Sequence, residues 1–226
     1  GRDTIAQGEK FDPSLENIKK RTTLSTLNDG IQVALLPKKS SGEMIVLSLQ
    51  LNFGNLDNLK DLDVASGFLG SLMMRGTEQM DHQQIQDALD NLEASVSGSS
   101  GVGSLGFSVK VKKKNLAATL AILKQVIQTP TFPEKEFEVM RQEQLTQLES
   151  MQSDPQALAV SLIRRKLFPY DQGDLRANHT IAQQIEELKA VKMSDIRKLY
   201  DEFITNTSGE LVVVGEIDPK SIQQTI

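Results

Sequence analysis

Apolar positions change their period several times along the chain, and each change marks an element. From Ile45 to Phe53 they fall on every second residue, with Val46, Ser48, Gln50 and Asn52 between them. Strand side chains alternate between two faces, so this pattern predicts a half-buried β-strand. Leu105, Phe107, Val109 and Val111 repeat it within Val102–Lys112, which is expected to pair with Glu93–Ser97 around the turn SGSSGVG. Thr22–Leu27 and Ile31–Leu36 predict a hairpin joined by Asn28-Asp29-Gly30, since Asp-Gly accepts positive φ. The period then lengthens. Ile85, Ala88, Leu89 and Leu92 lie at i, i+3, i+4 and i+7, one helical stripe. Leu116, Leu120, Leu123 and Ile127 make another, which Pro130 and Pro133 terminate. A long polar helix is predicted from Glu134 to about Ser153 and a further one from Gln156 to Phe168. Two more follow near 180–188 and 194–204, and a short strand at Leu211–Val214 closes the series.

Hairpin strands, then helices, then a returning strand define an α+β fold, an antiparallel sheet with helices packed on one face. Residues 1–20 are polar, carry Pro13 and read as a linker or arm, leaving 21–226 as one domain without internal repeats. The chain of 226 residues begins without Met and ends in DPKSIQQTI, which resembles a helix entered and cut. It is expected to be a piece of something longer.

Composition narrows the chemistry. A formal net charge of −5 and a pI near 5.2 argue against nucleic acid or an anionic membrane as partner, because both need a basic surface. With no cysteine, disulfides, thiolate zinc sites, iron–sulfur clusters and cysteine nucleophiles are excluded. No apolar run reaches the roughly 20 residues of a membrane span. His82 and His179 are the only histidines, and their neighbourhoods give no reason to converge on a metal or a hydrolase triad. The SGSSGVG turn lacks the Gly-Lys-Ser/Thr ending and following helix of a phosphate loop. Lys110, Lys112, Lys113 and Lys114 are expected to solvate a sheet edge. Arg164-Arg165 and the carboxylates of residues 134–149 read as helix surface.

One stretch remains. SGFLGSLMMRGTEQM, residues 66–80, places Gly67, Gly70 and Ser71 at i, i+3 and i+4 of a predicted helix. That is the face on which a metallopeptidase would set two histidines and a glutamate. The segment GFLGSLMMRGT resembles the H-x-x-E-H helix and Gly-Thr turn of insulinase/pitrilysin-type zinc metallopeptidases, the inverzincins: Phe68, Leu69, Gly76 and Thr77 agree. The histidine positions fall on Gly67 and Ser71, and the glutamate position on Gly70. A later stretch, FEVMRQEQLTQLESMQSDP, is similar to the family helix bearing the third zinc ligand, whose position becomes Gln147, with Met140 at the supporting upstream glutamate. GEKFDPSLENIKKRTTLSTLNDGIQVALLPKK, PYDQGDLRANHTIAQQIEEL and ELVVVGEIDP resemble the entry hairpin, loop and last strand of such a repeat, so the likeness runs in order over nearly the whole chain.

The resemblance implies a processing-peptidase-like architecture, in a repeat without ligands. Zinc needs imidazole, thiolate or carboxylate donors in tetrahedral array. Glycine offers none, Ser71 and Gln147 are neutral, and the general base is missing at Gly70. Two helical glycines cost about 1 kcal/mol each relative to Ala, which points to close packing of helix on sheet. The implied function is a non-catalytic domain of a bacterial insulinase-type peptidase, a wall of a peptide-enclosing chamber opposite a zinc-bearing half. The implied partners are a catalytic repeat of the same parent, or a partner subunit, and a peptide substrate. Zinc is expected only in that separate half, and no cofactor in this chain. A second reading is an inactive scaffold or substrate-presenting subunit of a processing-peptidase-like complex. A periplasmic or secreted location is implied by the resemblance and permitted by the missing cysteines.

Overall fold

The computed structural model describes residues 8–27, 30–171, 173–204 and 207–219. The Asn28-Asp29 turn and the C-terminal residues 220–226, both expected above, lie outside them. In the arm, Asp12-Pro13-Ser14 leads into a short helix α1 (Leu15–Arg21), with Ser14 Oγ accepting the Asn17 N–H at its start. The arm is tied down. Arg21 pairs with Glu9 at 2.8 Å and donates to the Pro37 carbonyl, while Phe11 lies beneath the cations of Arg21 and Lys38.

The six strands are β1 (Thr23–Thr26), β2 (Gln32–Pro37), β3 (Met44–Asn52), β4 (Ser95–Gly101), β5 (Ser104–Lys112) and β6 (Ser208–Gly215). They form one sheet in the order β1-β2-β6-β3-β5-β4. The returning strand β6 inserts at its centre, antiparallel to β3 and parallel to β2. The fold is α+β as expected, and this one parallel pair makes the sheet mixed. Alternation turns Ile45, Leu47 and Leu51 of β3 and Leu105, Phe107, Val109 and Val111 of β5 to the core. Their neighbours Val46 and Val212 stay on the exposed face.

Two expectations are corrected here. The SGSSGVG segment is not a loop: β4 continues through Gly101, paired residue by residue with β5, and the turn is Val102-Gly103 alone. The strand that carries Lys110 and Lys112 is not an edge either, because β5 lies between β3 and β4. Those lysines point out from an internal strand, and Lys112 pairs with Glu93.

Helices α2 (Asp63–Met73), α3 (His82–Asn91), α4 (Leu116–Gln128), α5 (Glu134–Met151), α6 (Pro155–Leu167), α7 (Ile181–Ala190) and α8 (Met193–Phe203) complete the chain. Several start on side-chain caps. Asp81 and Gln84 form a reciprocal capping box at α3, Thr180 and Gln183 another at α7, and Asp154 caps α6 ahead of Pro155. Apolar α2 buries Phe68, Leu69, Leu72 and Met73 completely or nearly so. It packs on β4 and against α5 and α8. No helix among the described residues is long and apolar enough to cross a membrane.

Candidate functional site

The site predicted from sequence sits where α2 meets the edge strand β4. Phe68 and Leu69 anchor the helix in the core, and the Phe68 ring meets Phe137 of α5 edge-on at 5.2 Å and 74°. Such pairs add about 0.5–1.5 kcal/mol beyond the area they bury. That orientation turns Gly67, Gly70 and Ser71 toward β4 and solvent. The three then differ. Gly67 is exposed, and a Cβ built on it would meet nothing within 4 Å. Gly70 is buried, and its Cβ would fall 2.6 Å from the carbonyl carbon and oxygen of Ser99 and 2.8 Å from the Ser99 nitrogen. Its N–H donates to Ser100 Oγ at 2.8 Å. Ser71 Oγ donates to the Gly98 carbonyl at 3.2 Å.

Sequence reasoning places a strand at Glu93–Ser97 but misses its continuation through Gly101, which fills this face. Gly98, Ser99 and Ser100 run directly across α2, and a Cβ on Gly98 would collide with the Gly70 carbonyl. A signal was present: glycine within a strand often marks close backbone approach. The SGSSG run hid it by imitating a loop.

The fourth position, Gln147, lies exposed on α5, whereas Met140 is buried in the core. These positions do not fit a zinc ion. Gly67 and Gly70 supply no donor, the Ser71 hydroxyl is engaged by a carbonyl, and Gln147 is a neutral amide. At Gly70 a glutamate would have to begin inside the van der Waals envelope of Ser99. Among the described residues no three His, Cys, Asp or Glu cluster as a metal set.

The turn after α2 is held by charge. Arg75 Nη1 donates to Glu136 Oε2 at 2.9 Å, and His82 Nδ1 lies 3.2 Å from the same oxygen. The hydrogen bond from Arg75 holds the Glu136 carboxyl below the usual glutamate range, aided by His82. This knot joins the end of α2, the start of α3 and the first turn of α5. Thr77 is buried beside it, and its Oγ accepts the Met80 N–H at 3.0 Å and the Gln79 N–H at 3.3 Å. His179 pairs with Glu187 at 2.6 Å. Both histidines are thus half-buried partners of glutamates, and they belong to different helix junctions. A hollow of about 640 Å³ lies among Phe53, Leu56, Leu59, Val102 and Thr207, and none of its lining residues belongs to α2 or α5.

The chain and its fold are matched by known proteins. The family model described as Insulinase (Peptidase family M16) covers residues 33–174, and the chain belongs to that family. The mitochondrial-processing peptidase subunit beta of Dictyostelium discoideum is 22% identical over 216 residues, which is 95% of this chain and 44% of that protein. Among solved structures, a peptidase M16 inactive domain from Pseudomonas fluorescens matches with TM-score 0.75 at 14% identity, over 90% of this chain and 48% of that one. The first half of the periplasmic protease PqqL from Escherichia coli matches with TM-score 0.71 at 17% identity, over 99% and 46%. At these identities the structural likeness establishes the fold. The chain spans less than half the length of each of these relatives.

Proposed function

We propose that this chain is a non-catalytic repeat of an insulinase-type peptidase, one wall of a chamber that encloses extended peptides while zinc chemistry is supplied by a separate catalytic half. The observation that carries this reading is the contact of α2 with β4. Where a general base would stand, Gly70 lies against the Ser99 backbone with no room for a side chain. The ligand positions on either side are an open glycine and a serine hydrogen-bonded to Gly98. Catalysis by metal-activated water needs both the ion and the base, and this helix provides neither. Family membership supports the setting, as does the inactive M16 domain among its structural neighbours. The absence of cysteine and the periplasmic neighbour support a periplasmic or secreted location.

The curated relative is a subunit, which supports a second reading: an inactive scaffold that presents substrate within a processing-peptidase-like complex. One experiment separates the two. The complete polypeptide encoded by the gene is assayed for hydrolysis of fluorogenic peptides, with and without residues 1–226. Cleavage by the complete polypeptide that is lost on removing this segment supports the chamber wall. A complete polypeptide inert by itself and active only with a separate zinc-bearing subunit supports the scaffold. Undiminished cleavage without the segment contradicts both.

A further inference from the structure

Two polar atoms at the junction of α6 and α7 are buried without a partner. Arg165 Nε and His179 Nε2 make no hydrogen bond with any described residue, although buried polar groups are almost always paired. Both side chains line one hollow of about 390 Å³, together with Phe168, Tyr170 and Thr180. The third such atom among the described residues, the Gln125 amide oxygen, does not belong to that lining. The volume falls at the small end of ligand pockets, roughly 300–1,000 Å³.

The fold holds both groups in place. Arg165, read from the sequence as helix surface, sits on the half-buried stripe of α6 that also carries Ala157 and Ser161. His179 directly precedes Thr180, the N-cap of α7. Its carbonyl accepts the Gln184 side-chain amide at 2.9 Å, and its Nδ1 lies 2.6 Å from Glu187 Oε1. Glu187 therefore keeps the ring proton on Nδ1, and Nε2 of the neutral ring offers a lone pair. The hollow thus combines a fixed cation that only donates with an imidazole nitrogen that accepts. The start of α7 adds the positive end of a helix dipole. Phe168 and Tyr170 contribute aromatic surface, exposed by 54% and 42%. The neighbouring Arg176 does not compete for a ligand, because its guanidinium is held by Asp174 at 2.6 Å and lies over the Tyr170 ring at 4.3 Å.

We infer that this hollow binds an α-carboxylate with an N–H donor beside it, the end group of a peptide or of a free amino acid whose side chain is apolar. Arg165 takes the carboxylate through a charge-assisted hydrogen bond. His179 Nε2 accepts the adjacent N–H, and the apolar side chain rests on Phe168 and Tyr170. The site is independent of the chamber-wall reading, since every group that forms it lies in this chain.

Titration of the 226-residue chain, followed through the imidazole NMR signals of its two histidines, tests this. The probes are Gly-Gly-Phe, its C-terminal amide and free phenylalanine. Gly-Gly-Phe should shift the His179 signals and leave those of His82, at the start of α3, in place. Amidation removes the anion and should weaken binding about 10-fold or more, as should R165Q. The amide comparison leaves the protein untouched, so it stands whether or not R165Q folds. Whichever of the tripeptide and phenylalanine binds more tightly names the source of the end group, and either supports the inference. Equal affinity for the peptide and its amide overturns it. So do equal shifts at both histidines, or a His179 signal that no probe moves up to roughly 10 mM.

Discussion

Gly70 and Gly98 meet backbone to backbone: the carbonyl of Gly70 occupies the space in which a Gly98 side chain would begin. The contact sets how closely α2 lies on β4, and it fills the helix face that carries Gly70. A side chain at position 70 would therefore have to displace the backbone of β4.

Alanine substitutions separate the glycines of α2. At Gly70 and Gly98 an added Cβ overlaps backbone that cannot swing aside, so G70A and G98A should each lose about 1–3 kcal/mol of stability. At Gly67 the added methyl enters open space, and G67A should gain about 0.5–1 kcal/mol from helix propensity. Urea denaturation of the three variants checks this. Equal effects at Gly67 and Gly70 would contradict the close approach.

Thr77 holds the turn after α2 through two amide hydrogens. T77V keeps the shape and removes the acceptor, leaving the Gln79 and Met80 N–H groups without it. A loss of roughly 1–3 kcal/mol is expected. A change within about 0.5 kcal/mol, the range of ordinary surface substitutions, would show that water replaces the hydroxyl there.

Glu136 gives a pH signature. Its folded pKa lies below the unfolded value, so the unfolded chain binds more protons in the interval between them and stability rises with pH across it. The contribution is complete above the unfolded value of about 4.3 and disappears as pH falls through the folded one. E136Q should therefore be less stable than the parent at pH 7, with the gap narrowing as pH drops below about 4. Chemical denaturation at pH 7, 5, 4 and 3 measures the difference. A gap that stays constant would mean that Arg75 and His82 do not favour the ionised form.

Much of this fold was legible in the sequence where one face of an element meets water. β3 is legible from its alternation because Val46, Ser48 and Gln50 face out while Ile45 and Leu47 face in. The continuation of β4 from Gly98 to Gly101 is not legible, because its serines and glycines carry no alternation. Its pairing with β5 and its contact with α2 hold it extended, and neither is local. β5 passes for an edge in the sequence because its pairing with β3, from Met44 opposite Lys112 to Asn52 opposite Ser104, is not local. The histidines were legible as residues but not as pairs, since Glu136 reaches His82 from another helix. At the site, the residue types at Gly67, Gly70, Ser71 and Gln147 are plain from the sequence. That Gly70 is closed while Gly67 is open is not, because two glycines in one helix look alike until the neighbouring backbone is in place.

The most direct measurement of the central claim is metal stoichiometry coupled to turnover. The 226-residue chain is incubated with excess zinc, passed through gel filtration, and assayed for bound metal and for cleavage of fluorogenic peptides. The account predicts well below one zinc per chain and no turnover above the buffer rate. One zinc per chain, with peptide cleavage that S71A or Q147A reduces, would contradict it.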